Sequence, residues 1–253
     1  MNKCWAKTIS PCSSISKEHY ISKCLLTDSV TIKGFDWCID GYKEIGINSL
    51  TAHCLCKTHN EMLSNLDAAA YDMWLILKEY NRVINVRKKI RCDCYTSFKI
   101  DASLFERWCF KTFCNMLSMN KEWVPDENLV GMIFGKQQFP EKCGISLLFN
   151  IGDKAGLSEH IKIQEIKHEK LGPVGFIMEF KGLKLFGSWV MREDLIGYVP
   201  KQFNEDGKNK NVLFHFRKME YPEIKINLLF DWSGKYDNTK NKIIKYLRNN
   251  NNI

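Results

Sequence analysis

Three short stretches near the start of the chain decide how it is expected to fold. They read Ser16-Lys17-Glu18-His19-Tyr20-Ile21-Ser22, then Asn48-Ser49-Leu50, then Cys54-Leu55-Cys56-Lys57-Thr58-His59-Asn60. Six of the eleven cysteines and three of the six histidines precede residue 61. Such clustering favours metal binding over chance burial of thiols and imidazoles.

This order of parts resembles the HNH endonucleases, which have a ββα-metal fold, and the resemblance covers about residues 1–80. It implies that Glu18 binds a catalytic Mg²⁺ or Mn²⁺ ion from the first strand and that His19 is the general base that activates water. Asn60 would add an amide oxygen from the start of the following helix, because hard cations prefer oxygen ligands. Asn48 would orient the His19 ring or brace the loop between the strands.

The resemblance also implies a second metal with a structural role. Cys4 and Cys12 precede the Glu-His pair, and Cys56 and His59 follow it. These residues are the two halves of a tetrahedral zinc site that flanks the active-site hairpin. A hairpin with one helix buries too little apolar surface to hold a precise site alone, so zinc is expected to supply stability.

Departures from the common HNH pattern leave the last ligands open. The acid is Glu rather than Asp, the first two cysteines are separated by seven residues, and Cys56-x-x-His59 is followed by Asn60. In the favoured register His59 completes the zinc site and Asn60 replaces the final His, which gives an H-N-N variant. In the rival register Cys54 and Cys56 bind zinc and His59 binds the catalytic ion. Residues 31–47 are interpreted as an insertion in the hairpin loop.

Length and composition limit the class of protein. The chain has 253 residues, enough for one large domain or two small ones. It shows no apolar core of a signal peptide, and no run approaches the roughly 18 apolar residues that span a bilayer. We therefore expect a soluble, cytoplasmic protein without a membrane partner, in which the cysteines are thiols or metal ligands rather than disulfides.

The net charge of +8 is compatible with a nucleic-acid partner, and DNA is favoured over RNA as the substrate. A basic concentration follows the proposed catalytic helix closely, which makes it the first candidate for contacts with the phosphate backbone. A solvated basic face is the alternative. The concentration consists of Arg82, Arg87, Lys88, Lys89 and Arg91.

Two helices are predicted from the spacing of apolar residues. Residues 61–80 keep apolar side chains at helical intervals, so a helix extends well beyond the minimal HNH unit. Asp101 can cap a second helix that is apolar except for the stripe Arg107, Lys111 and Asn115. A helix of this kind is buried, and we interpret it as the spine between the two halves of the chain.

After Pro125 the pattern changes to that of strands. Residues 179–183 predict a tight hairpin. An antiparallel sheet of five or six strands, packed on the Asp101 helix, is predicted from residues 145–151, 161–167, 174–180, 183–190, 212–218 and 224–232.

The predicted fold class is therefore α+β. A zinc-stapled ββα-metal module over residues 1–80 is followed by a basic connector over 81–100. A helix-plus-sheet domain, whose core is expected to be independent of the metal, covers 101–240, and 241–253 is predicted to be a disordered tail.

The leading functional hypothesis is a metal-dependent endonuclease that hydrolyses phosphodiester bonds. The sheet domain would serve specificity, homo-oligomerisation or docking of a protein partner, and the resemblance suggests a restriction or antiphage defence effector. Two alternatives stay open. One is a catalytically degenerate, zinc-stapled module that binds nucleic acid, and the other is a protein-interaction module that acts through its sheet.

Overall fold

The computed structural model describes residues 4–26, 28–33, 38, 41–87, 96–119, 123–140, 143–147, 160–190, 214–215, 218–221, 224–232 and 249. This part of the chain combines helices with mainly antiparallel sheets, and most strands fall in runs at the two ends of the order, which agrees with the predicted α+β class. Within the same ranges, no helix combines the length and the apolar character needed to cross a membrane.

The N-terminal region contains a hairpin with a second hairpin inserted between its strands. Strand β1 (Ile15–His19) pairs antiparallel with β4 (Thr51–Cys56), so that His19 lies opposite Thr51. Between them, β2 (Ser29–Ile32) pairs with β3 (Lys43–Gly46). The predicted insertion therefore contributes a hairpin of its own.

Four helices are described: α1 (Lys57–Met62), α2 (Ser64–Arg87), α3 (Ala102–Leu117) and α4 (Glu127–Ile133). The helix predicted over residues 61–80 is thus the pair α1 and α2, which meet at Leu63. The predicted cap of α3 is confirmed, because the Asp101 carboxylate accepts a hydrogen bond from the Leu104 backbone N–H at 2.9 Å. As expected of a spine, α3 is buried over most of its length.

A five-stranded antiparallel sheet packs on α3. Its order is β10 (Phe214–His215), β6 (Gly144–Leu147), β9 (Leu183–Ser188), β8 (Gly172–Phe180) and β7 (Ile161–His168). The predicted tight hairpin joins β8 to β9 through Lys181 and Gly182, whose φ angles are 51° and 95°. Two consecutive positive φ values are typical of the turn whose twist matches that of a hairpin.

The last strand does not join this sheet, and that part of the prediction is wrong. Strand β12 (Ile224–Asp231) pairs antiparallel with β11 (Lys218–Tyr221) and parallel with β5 (Thr96–Asp101). Alternating side chains identify a strand but not its partner, and β5 falls in the segment that was predicted to be a connector.

The N-terminal region and the sheet share one core. Buried residues from Cys4 to Leu185 form a single hydrophobic cluster. At its centre the α3 residues Trp108 and Phe110 contact the sheet residues Phe180 and Phe176, with ring centroids 5.2 and 5.1 Å apart. Because α3 packs against both parts, the core of the sheet domain is continuous with that of the N-terminal region, and its independence from the metal stays a prediction. The boundaries at residues 80 and 100 stay predictions, and the predicted tail lies outside the described residues except for Asn249.

Candidate metal centre and adjoining cleft

Four side chains from the first sixty residues form a cluster that could hold a metal ion. Cys4, Cys12, Cys56 and His59, here named the Cys/His cluster, place their ligand atoms within 4.8 Å of one another. Cys56 ends β4, and His59 lies one turn later in α1. Among the residues that the structure describes, no other group of three or more Cys, His, Asp or Glu side chains meets this criterion.

The distances within the Cys/His cluster suit tetrahedral coordination. His59 Nδ1 lies 3.1 Å from Cys56 Sγ, 3.3 Å from Cys4 Sγ and 3.8 Å from Cys12 Sγ. Zinc bound at its usual distances from nitrogen and sulfur separates those two atoms by about 3.6 Å. The three distances scatter around this value, so the four donors could hold an ion such as zinc.

Burial affects how readily the thiols of the Cys/His cluster lose their protons. Burial raises the pKa of Cys4 to about 12 and raises that of Cys12. Burial opposes ionisation of Cys56 as well, but hydrogen bonds from the backbone of His59 and Ser13 contribute to a pKa of about 7. Thiols must lose their protons to bind metal, so an ion here would be needed to stabilise the three thiolates together.

The His59 ring is fixed from its other side. Its Nε2 lies 2.9 Å from Ser10 Oγ, so an Nε2–H can donate to that hydroxyl while Nδ1 faces the sulfur atoms. Burial lowers the His59 pKa, which favours the neutral form that binds metal. Such outer hydrogen bonds orient a metal-binding imidazole.

Cys54 lies outside the Cys/His cluster. Its Sγ is 3.5 Å from the Asn115 Oδ1 atom on α3. The geometry therefore agrees with the favoured register, in which Cys56 and His59 complete the cluster, and not with the rival one. The nine described cysteines are free, as expected of thiols and metal ligands.

A cleft opens on the other side of α1, and it brings together three of the predicted catalytic positions. It measures about 270 Å³ and is called the Glu18 cleft below. Successive residues of a helix point about 100° apart, which lets His59 serve the cluster while Asn60 lines the cleft. The lining residues are Glu18, His19, Ser22, Lys23, Asn60, Glu61, Ser64 and Asp67.

His19 has the protonation state that a base requires. Its Nε2 atom is enclosed and has no hydrogen-bond partner within the described part of the chain. Burial lowers the His19 pKa, and the negative charge of Glu18 opposes that shift only in part. The neutral imidazole, which can accept a proton, is therefore favoured near neutral pH.

A buried ion-pair network reaches the cleft from α3. Lys111 Nζ lies 2.8 Å from Glu18 Oε1 and 2.9 Å from both carboxylate oxygens of Asp67. Burial alone would lower the Lys111 pKa, but the charges of Asp67 and Glu18 raise it, so the ammonium form is retained. Sequence reasoning missed Asp67 and gave Lys111 no role, although a polar stripe on an apolar helix indicates that its members need buried partners.

Asn115, the next residue of that stripe, connects the two sites. Its Oδ1 accepts a hydrogen bond from Trp5 Nε1 at 3.0 Å, beside the cluster residue Cys4. Its Nδ2 donates to the His19 carbonyl at 3.2 Å and contacts Glu18 Oε1 at 3.5 Å. One buried amide thus joins the segment that carries the cluster to the Glu-His pair.

The structure does not bring Asn48 to the cleft. Asn48 is exposed in a short 3₁₀ turn before β4, and its carbonyl accepts a hydrogen bond from Thr51 Oγ1 at 3.5 Å. That contact uses the Asn48 backbone, so the predicted role of its side chain in bracing the loop stays a prediction. Orientation of the His19 ring by Asn48 has no contact to support it among the described residues.

The predicted nucleic-acid-binding residues are only partly described. Arg82 and Arg87 lie in the last turns of α2, while Lys88, Lys89 and Arg91 fall outside the described residues. Their contact with nucleic acid stays a prediction.

Comparison of the chain with protein-family models, with curated proteins and with solved structures finds no match. A function must therefore be argued from the Cys/His cluster and the Glu18 cleft themselves. Fold class alone does not fix an activity.

Proposed function

We propose that this chain is a metal-dependent HNH-type endonuclease that hydrolyses phosphodiester bonds, with DNA as the preferred substrate. The observation that carries the proposal is that Glu18 and His19 of β1 and Asn60 of α1 line one cleft, while α1 also contributes His59 to the Cys/His cluster. A carboxylate, a neutral imidazole and a carboxamide are the groups that this hydrolysis needs.

The residues of the cleft divide the chemistry between them. Glu18 and Asn60 offer oxygen atoms to Mg²⁺ or Mn²⁺, which would stabilise charge on the phosphate and on the leaving oxygen. His19 would take the proton from the attacking water. Zinc in the Cys/His cluster would have four protein ligands and no open position, so its role would be structural.

The substrate and the context follow from the resemblance and from charge. The basic segment Arg82, Arg87, Lys88, Lys89 and Arg91 would contact the phosphate backbone. A restriction or antiphage role, and a protein partner or second copy on the sheet, belong to the same proposal.

One contact favours a second candidate function, in which the cleft is catalytically degenerate and the chain is a zinc-stapled nucleic-acid-binding module. Glu18 is already paired with the Lys111 ammonium at 2.8 Å, and Lys111 has only 2 % of its side chain exposed. A metal would have to share that carboxylate with a buried cation.

A nuclease assay on DNA and on RNA, with Mg²⁺ or Mn²⁺, separates the two candidates. His19→Ala should lose at least about 10²-fold in rate, as expected when a general base is removed, while zinc content stays unchanged. The matched control is His53→Ala, which removes an exposed histidine of β4 and should cleave like the wild type. Wild-type protein that binds nucleic acid without cutting it would support the degenerate module. Equal cleavage by His19→Ala and wild type would refute His19 as the base.

A further inference from the structure

The Lys111 ammonium occupies the kind of position that a bound cation takes. Three carboxylate oxygens, one from Glu18 and two from Asp67, lie within 2.9 Å of Nζ. The side chain comes from the buried helix α3 and is 2 % exposed, whereas both carboxylates belong to residues that line the Glu18 cleft. Two negative charges therefore face one positive charge, and the network keeps one net negative charge.

We propose that Lys111 and a divalent cation compete for Glu18, and that Asp67 favours the divalent cation by retaining Lys111. The inference rests on the proposed function, in which Glu18 is a metal ligand. It assigns Lys111 and Asp67 as positioning residues that set the affinity of the cleft for metal.

The competition follows from charge at short range. Both the ammonium and the Asn115 amide contact the Oε1 atom of Glu18. A divalent ion on either oxygen of this carboxylate would lie within a few ångströms of the Lys111 charge, where repulsion is weakly screened because the group is buried. Binding of the metal is therefore easier when Lys111 moves away from Glu18.

Asp67 makes that movement feasible. It holds the ammonium through both oxygens, and Ser22 fixes the carboxylate by donating its hydroxyl hydrogen to Oδ1. Ser22 is fixed in turn by the indole of Trp108, which donates to its hydroxyl at 2.7 Å. Lys111 can thus release Glu18 without becoming an unpaired buried charge, which would be strongly destabilising.

The test is a Mn²⁺ titration of the zinc-loaded full chain, followed by electron paramagnetic resonance without nucleic acid. Lys111→Met should bind Mn²⁺ at least about tenfold more tightly than wild type, and Asp67→Asn at least about tenfold more weakly. Lys162→Met is the charge control, because it removes one lysine from the exposed pair with Glu179 on the sheet. It should leave the Mn²⁺ affinity unchanged.

A double-mutant cycle separates retention of Lys111 from direct attraction of the metal by Asp67. In the Lys111→Met background, Asp67→Asn should weaken Mn²⁺ binding several-fold less than it does in wild type. The double variant keeps one net negative charge at Glu18. If Lys111→Met alone does not fold, the Mn²⁺ affinity of the double variant can be compared with that of wild type instead. An equal loss in both backgrounds, or no gain in either variant that lacks Lys111, overturns the proposal.

Glu18→Gln distinguishes failure of this inference from failure of the proposed function. If Glu18→Gln loses Mn²⁺ while Lys111→Met gains nothing, the competition is wrong and the metal ligand stands. If Glu18→Gln binds Mn²⁺ like wild type, both are wrong. If wild type binds no Mn²⁺ but Lys111→Met binds it through Glu18, the competition is supported and wild-type metal catalysis is refuted.

Discussion

The Cys/His cluster and the Glu18 cleft share helix α1, yet they differ in whether the protein itself supplies a cation to the potential metal ligands. In the cluster, the four donor atoms lie within 4.8 Å of one another. In the cleft, the carboxylate proposed to bind metal is already paired with Lys111. The cluster could therefore hold an external cation, whereas the carboxylates of the cleft are already paired with the Lys111 ammonium.

This difference predicts two kinds of response to metal. If the Cys/His cluster binds an ion such as zinc, its thiols must ionise together, so metal binding and folding should be coupled there. The cleft is nearly neutralised by the protein, so its structure should be independent of metal and only its chemistry should respond to one. Each prediction below tests that contrast, and the largest expected effect comes first.

Loss of one cluster thiol should have the largest effect. Cys4→Ser should lose stoichiometric zinc and lower the free energy of unfolding by roughly 4 kcal/mol or more, because structural zinc contributes on the order of 10 kcal/mol in small zinc-binding peptides. Since the two parts share one hydrophobic cluster, the whole described core should melt in one transition. Elemental analysis and calorimetry on the same samples measure both effects.

Cys54→Ser is the matched control for that experiment. Cys54 is buried close to the cluster but bonds to Asn115, so this variant should keep its zinc. Loss of zinc in Cys54→Ser with retention in Cys4→Ser would contradict the register described above. Absence of zinc from wild type prepared without chelator would remove the structural metal altogether.

The buried amide between the two sites gives the next effect. Asn115→Leu leaves the Trp5 indole N–H without its acceptor and the His19 carbonyl without its donor. The free energy of unfolding should fall by about 3 kcal/mol, because unsatisfied buried polar groups cost 1–3 kcal/mol each. Chemical denaturation and zinc analysis should show a less stable protein that still holds its metal.

Asn128 offers the comparison for this substitution. It is exposed on α4, so Asn128→Leu should change stability by less than about 0.5 kcal/mol. If Asn115→Leu lost zinc together with stability, the cluster and the cleft would be one unit, and the contrast between them would fail.

Sequence reasoning recovered features that depend on local chemistry. The cap at Asp101, the turn at Lys181 and Gly182, and the set Cys4, Cys12, Cys56 and His59 were predicted, because side-chain type and spacing largely determine each of them. The nuclease assignment itself stays a prediction, since no comparison tests it.

Features that depend on distant partners were missed. The stripe of Lys111 and Asn115 was visible on the α3 sequence, but nothing local identifies Glu18 and Asp67 as its partners. The pairing of β12 with β5 was missed for the same reason. Such tertiary contacts cannot be predicted from hydrophobic periodicity, because the two segments can be any distance apart in the sequence.

The hydrogen bond behind the His59 ring should have a smaller effect than the loss of a ligand. Ser10→Ala removes the partner of Nε2 and should weaken zinc binding roughly 10- to 100-fold, the usual effect of losing such a contact, without preventing folding. Ser14→Ala is the control, since that exposed serine contributes its backbone carbonyl and not its hydroxyl. Competition with a chromophoric chelator measures both affinities, and equal values would show that Ser10 does not orient the ring.

The smallest effect is expected in a pH titration that compares the imidazoles of His19 and His59 directly. Burial lowers the pKa of His19, so its imidazole should titrate below the ordinary value of 6.5. Cleavage should rise with pH through that midpoint, since only the neutral ring can take a proton. The free energy of unfolding should also rise with pH in this range, because the imidazole binds its proton more readily in the unfolded chain than in the folded one. The His19 contribution is therefore complete above pH 6.5 and is lost as pH falls through the folded-state pKa.

His59, if bound to zinc through Nδ1, should show no titration until the metal is released. Nuclear magnetic resonance of labelled imidazoles in the zinc-loaded chain resolves both rings. Lys23→Gln should raise the His19 midpoint and Glu18→Gln should lower it, because those charges act on the ring in opposite directions. A His19 midpoint above 6.5, or a free titration of His59 with zinc present, would contradict the assignment of the two rings to different sites.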